Sequence, residues 1–184
     1  MKTIVKLIFI LSLFTQVCHA QKIETEDDYK VLYDSIVARL RIAQKDTSCY
    51  IDKPFSEFVK HLDKCGIKII QVGMGRTSYE PHEVFPRYLH GVILYFTTAE
   101  QQNFASNHRL SRPMISIYFN ESLPYEKALS LDQKYKGYFM KDVEEFYSDA
   151  VIKSIEFGFM DDMYRLKRLL EKQKALYEKM KAEE

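Results

Sequence analysis

Between residues 73 and 90 the chain gathers Arg76, Tyr79, His82, Glu83, Arg87, Tyr88 and His90, side chains that can carry charge, donate hydrogen bonds or move protons. The run from Gly73 to His90 shows neither helical nor alternating apolar spacing, so it reads as one long connection. Long connections without regular structure are uncommon and often functional. Arg76, Tyr79, His82, Glu83, Arg87 and His90 are therefore the candidates for ligand or partner contact. The plainer reading is a surface cover pinned to the core by Phe85 and Leu89.

Each finer motif in or near this stretch is incomplete. His82-Glu83 opens like the helix of a zinc protease, but Pro86 stands where the second histidine belongs. Pro81 and Pro86 also deny the segment a long helix, so no metal is expected. Gly73 and Gly75 ahead of Arg76-Thr77-Ser78 could turn backbone amides towards an anion. The lysine of a nucleotide loop and the third glycine of a dinucleotide fingerprint are both missing, so the glycines read as turn residues and no cofactor is expected.

Elsewhere, His61 and Cys65 fall four apart, the spacing that brings a thiol and an imidazole together on one helical face. No orienting Asn or Asp can be named for them, and no Gly-x-Ser-x-Gly elbow is present. The adjacent pairs Glu144-Glu145 and Asp161-Asp162 point to different helix faces and read as solvated surface.

The elements that must position these groups follow from periodicity and caps. Thr25 precedes Glu26-Asp27-Asp28, and Tyr29, Leu32, Tyr33, Ile36, Val37 and Leu40 recur at helical spacing, which predicts a helix over 25–45. Asp52-Lys53-Pro54 opens a second helix with Phe55, Phe58, Val59 and Leu62 on one face, closed by Gly66. Strands are predicted over 67–72, 91–98 and 113–119, the last with Ile115, Ile117 and Phe119 alternating against Ser116 and Tyr118. Residues 99–112 read as loop or a short helical turn, and Ser122 as the cap of a short helix reaching Leu129. Another helix is expected over 138–147, then a strand through Val151, Ile155 and Phe157, then a long helix over 161–184 that can project. Loops too poor in helix for βαβ units favour an α+β fold, a mostly antiparallel sheet of about four strands packed by helices.

The last helix carries a seam. Phe159, Met163, Leu166, Leu170, Gln173, Tyr177 and Met180 alternate at spacings of four and three, so residues 159–180 are a candidate homodimer surface.

Residues 1–20 combine Lys2 and Lys6, an apolar run from Leu7 to Phe14 and Cys18-His19-Ala20, the pattern of a secretory signal peptide cut after Ala20. The apolar run is too short to span a membrane, so no transmembrane segment is expected after cleavage. Lipidation at Cys18 is the lesser alternative, because Val17 and Thr15 fit a lipoprotein site poorly. Residues 21–184 then form a single domain that is slightly acidic, which argues against nucleic acid as a partner. Cys49 and Cys65 remain, a candidate disulfide in an exported chain. Its geometry is tight, since residues 49–54 would have to run back along the second helix almost fully extended.

The leader followed by Gln21-Lys22, with Tyr50-Ile51-Asp52-Lys53-Pro54-Phe55 opening the domain, resembles small exported proteins of unknown function from Bacteroidota. That resemblance implies a periplasmic or secreted setting and supplies no site residues. The expectation is an exported binding or interaction domain for an unknown envelope protein or small ligand. The alternatives are a small hydrolase using the 73–90 segment and a structural envelope component that oligomerises through the last helix.

Overall fold

The structure, a computed structural model, describes residues 22–79 and 86–182. The expected signal peptide, Cys18, His82 and Glu83 lie outside them. The chain runs α1 (Glu26–Gln44), a 3-10 turn (Thr47–Tyr50), α2 (Phe55–Lys64), β1 (Gln71–Met74), β2 (Thr77–Ser78), β3 (Tyr88–Tyr95) and α3 (Ala99–Asn107). It continues through β4 (Met114–Pro124), α4 (Tyr125–Tyr135), α5 (Lys141–Tyr147), β5 (Ile152–Gly158) and α6 (Arg165–Ala182). The fold is α+β. Every strand pairing among the described residues is antiparallel, in the order β1-β3-β4-β5 with β2 also on β3.

Local chemistry explains the best-defined ends. Thr25 and Asp28 form a reciprocal capping box at the start of α1, with Asp28 N donating to Thr25 Oγ1 over 3.1 Å and Thr25 N donating to the Asp28 carboxylate over 3.0 Å. The Thr25 hydroxyl, donating to Asp28 Oδ2 over 2.8 Å, and then the backbone amides of Thr25 and Glu24 hold the Asp28 carboxyl below its ordinary pKa. Pro54 sits immediately before α2, and Gly66 takes the left-handed conformation after it, at φ +69°.

The helices pack one face of the sheet. Leu89, Val92 and Leu94 of β3, Ile115 and Ile117 of β4 and Ile152 of β5 are buried there beside Leu40, Phe55, Phe58 and Leu62. Ile93, Tyr95, Met114 and Tyr118 alternate to the opposite face, are half-buried and do not belong to this core. The Tyr95 ring lies over Gly73, and Met114 lies over Gly158, so side chains cover the two glycines. Single bridges, Gln71 with Tyr138 and Pro54 with Val151, continue the pairing past β1 and β5.

Several boundaries differ from the sequence reading. The 73–90 segment is not a structureless connection: Gly73 and Met74 end β1, Thr77 and Ser78 form β2, and Tyr88 to His90 begin β3. The first strand starts at Gln71 rather than Ile67, because Ile67 and Ile69 bury their side chains outside the ladder. Residues 99–107 are a full helix, held at its start by a second capping box between Thr98 and Gln101. Ser122 caps nothing; it lies in β4, which runs on to Pro124 and pairs Leu123 with Leu89. α6 begins at Arg165, four residues later than expected, after Tyr164 N donates to Asp162 Oδ1 over 3.0 Å.

The candidate disulfide is not formed: Cys49 and Cys65 are free thiols. The 3-10 turn leaves Cys49 exposed, while the Tyr50 ring packs 4.7 Å from the His61 ring, beside Cys65.

Three buried phenols tie α1 and α5 to the core and set an alkaline limit. Tyr29 Oη donates to Ser111 O over 3.0 Å and Tyr33 Oη to Phe159 O over 2.7 Å. Burial raises the pKa of Tyr29 and Tyr147 strongly and pushes Tyr33 up to about 12. A raised phenol holds its proton longer folded than unfolded, so its contribution is complete below the unfolded value of about 10. It is lost as pH rises from there towards the folded values, at about 1.4 kcal/mol per pH unit for each group. Urea midpoints should therefore fall steeply above about pH 10, in step with phenolate absorbance. A flat midpoint up to pH 12 would contradict the burial of these rings.

Candidate functional site

Two irregularities in the sheet meet and open a cleft. In β3, Leu89 pairs with Leu123 and Gly91 with Tyr118, so His90 alone faces the β4 stretch 119–122. In β5, Ser154 pairs with Tyr118 and Ile152 with Phe119, which leaves Lys153 as the extra residue of a bulge. Bulges re-aim side chains, and here both lie beside one concavity of about 530 Å³. Its lining takes Arg76, Ser78 and His90 from the β2–β3 side, Asn120 from β4 and Lys153 and Glu156 from β5.

The close approach of the strands depends on glycine. Gly75 N donates to Gly91 O over 3.1 Å, and a Cβ on Gly75 would sit 2.7 Å from that carbonyl. Gly75, a turn residue by sequence, serves close packing of backbone on backbone against Gly91.

The shortest polar contact in the cleft joins Ser78 Oγ and His90 Nε2 at 2.7 Å. Pairing of β2 with β3 puts them together: His90 N donates to Arg76 O over 2.8 Å and Arg87 N to Ser78 O over 3.0 Å. With the ring proton on Nδ1, the serine hydroxyl donates to Nε2, the arrangement of a hydroxyl nucleophile and its base. Among the described residues, no carboxylate hydrogen-bonds the other ring nitrogen. Asn120 is oriented from outside the cleft, its Nδ2 donating to Asp52 Oδ1 over 3.1 Å.

Of the sequence candidates, Arg76 and His90 line the cleft. Tyr79 and Arg87 are exposed and lie outside its lining, and His82 and Glu83 are outside the described residues. Ser78, Asn120, Lys153 and Glu156 were not singled out by their spacing. Ser78 lies in the Gly-x-Gly segment, but its link to His90 needs a hairpin that the sequence does not announce.

The His61–Cys65 pair is not an activated thiol. His61 Nε2 lies 3.1 Å from Ala43 O, a carbonyl that can only accept, so this nitrogen carries the proton and cannot take one from sulfur. Burial raises the Cys65 pKa, with Asp46 adding to the effect, and Sγ is 3.9 Å from the imidazole. Among the described residues, no group of three His, Cys, Asp or Glu side chains is placed to hold a metal ion.

The chain matches no protein-family model, and comparisons with curated proteins and with solved structures return no match.

Proposed function

We propose that this is an exported binding domain whose cleft takes a small hydroxylated carboxylate or a partner group of that kind. One observation carries the reading: Arg76, Ser78, His90, Asn120 and Lys153 converge on an open concavity beside two bulges. Arg76 and Lys153 supply positive charge for a carboxylate, while Ser78, Asn120 and Glu156 offer hydrogen bonds to hydroxyl groups. The leader and the likeness to exported Bacteroidota proteins support a periplasmic or secreted setting.

Titration with galacturonate, followed by amide chemical shifts, tests this. Shifts should concentrate at residues 76–78, 90, 118–120 and 153–156. Arg76→Ala with Lys153→Ala should weaken binding about tenfold or more, as expected for losing charge-assisted hydrogen bonds. Saturating shifts elsewhere, or none, would sink the cleft as a binding site.

A second reading rests on the Ser78–His90 contact, that of a small hydrolase with Ser78 as nucleophile and His90 as base. A fluorophosphonate probe separates the two. Labelling that disappears in Ser78→Ala and His90→Gln makes the cleft catalytic; an unlabelled protein that still binds galacturonate leaves it a binding site.

A further inference from the structure

α6 is the least integrated element of the fold and the most strongly patterned. It spans 18 residues, about 27 Å at 1.5 Å per residue. Its start is held by Lys167 to Glu26 over 3.2 Å and by an Arg168–Asp162 ion pair. Beyond these, Leu176, Tyr177 and Met180 are 60%, 65% and 59% exposed, and Leu169 and Leu170 are also exposed. At 100° per residue, Leu166, Leu169, Leu170, Leu176, Tyr177 and Met180 fall on one arc of about 120°, with Gln173 the single polar residue inside it.

The borders of that arc say what covers it. Lys167, Lys174 and Lys181 follow one edge, and Arg165, Lys172 and Lys179 follow the other. Glu171 and Glu178 fall on the far side of the helix. In a coiled coil the residues beside the seam face their counterparts on the partner helix. Two copies of α6 packed on the centre of this wider arc would therefore bring basic border against basic border, whether parallel or antiparallel. A second copy is the wrong occupant by charge, although the seam alone suggested it. A nucleic acid would satisfy the lysines but leave the leucines in water. An anionic lipid surface satisfies both at once, with the apolar arc below the headgroups and the lysines extending up to phosphates. The near-neutral charge of the whole chain hides this, because acids elsewhere offset the basic helix. No described helix is long and apolar enough to cross a membrane.

We propose that α6 docks this protein onto the surface of an anionic phospholipid bilayer. Tyr177 suits the headgroup boundary, with its ring in the apolar arc and its hydroxyl reaching water. The claim is independent of the cleft and of what the cleft binds.

The test is flotation of the full protein, purified as cells process it, with vesicles of phosphatidylcholine alone or enriched in phosphatidylglycerol. It should float with the phosphatidylglycerol vesicles, stay behind with phosphatidylcholine and release as salt is raised. Two variants divide the contributions: Leu170→Ser/Leu176→Ser/Met180→Ser removes apolar area at constant charge, and Lys172→Glu/Lys174→Glu/Lys181→Glu reverses charge at constant apolar area. Each should lower the bound fraction about tenfold or more, with circular dichroism of the folded core unchanged. Equal flotation with both vesicle types, or none, overturns the proposal. So does binding to a DNA oligomer that survives the serine variant. A monomer–dimer equilibrium in sedimentation that the serine variant abolishes, without flotation, would return the face to a second copy.

Discussion

Gly91→Ala should cost at least about 3 kcal/mol in urea unfolding, more than any other single methyl addition to the sheet. The added Cβ would stand 2.3 Å from Ile117 O and 3.2 Å from the Ile117 carbonyl carbon. Those atoms belong to the backbone of β4 and cannot swing aside as a side chain would. β3 and β4 would have to separate where Gly91 pairs with Tyr118, beside the irregularity at His90 that borders the cleft. Galacturonate binding should fall with stability even where a folded fraction survives. Gly66→Ala is the control. At φ +69° it strains the backbone, but its Cβ meets nothing within 4 Å, so the cost should stay at about 1–2 kcal/mol. If the two variants unfold at the same urea concentration, the close contact between β3 and β4 is wrong.

Phe55→Ala should be comparably damaging, at about 3–5 kcal/mol, or about 10 °C in Tm for a chain of this size. Phe55 is fully buried at the first residue of α2. Its ring centroid lies 6.1 Å from Phe119, 6.5 Å from Phe139 and 6.0 Å from Tyr147. It therefore joins α2, β4, α5 and the segment before α5. Its backbone is committed too, since Phe55 N donates to Ala150 O over 2.9 Å. The hole left by alanine cannot close without moving an element that is hydrogen-bonded in place. Val31→Ala on the exposed side of α1 should stay within about 0.5 kcal/mol. Equal thermal shifts for the two variants would rule out Phe55 as the keystone of this aromatic cluster.

What the sequence makes legible here is what local chemistry decides. α1 has its capping box, α2 is bracketed by Pro54 and Gly66, and both keep a strict apolar period, so both are readable to within a residue or two. The inward residues of β4 alternate plainly. α3 is hidden because Ala105 is its only buried residue, and a polar run with one core contact has no period to detect. The extension of β4 through Asn120, Glu121 and Ser122 is hidden for a similar reason: exposed polar strand looks like loop. The cleft is less legible still. Arg76 and His90 stand out by residue type, whereas Lys153 lines it only because β5 bulges, and Ser78 only because β2 folds against β3. Both facts depend on pairing between distant segments. Cys49 and Cys65 mislead for the opposite reason, since an even count carries no information about the 3-10 turn that holds Cys49 exposed.

The two single bridges at the sheet margins bear on how the protein behaves when crowded. An open margin of unpaired amides and carbonyls is a template on which further chains can stack into fibrils. Here Val72 N is already committed to Gly137 O at 2.7 Å and Phe139 N to Ile70 O at 3.0 Å, which closes the β1 side. On the β5 side, Ile152 exchanges hydrogen bonds with Lys53 and Asp52, and the strand beyond carries a bulged Lys153 and Glu156. Irregularity and charge make a poor template. Both margins are thus partly paired or irregular, and the same bulge that opens the cleft makes the β5 margin a poor template for strand addition.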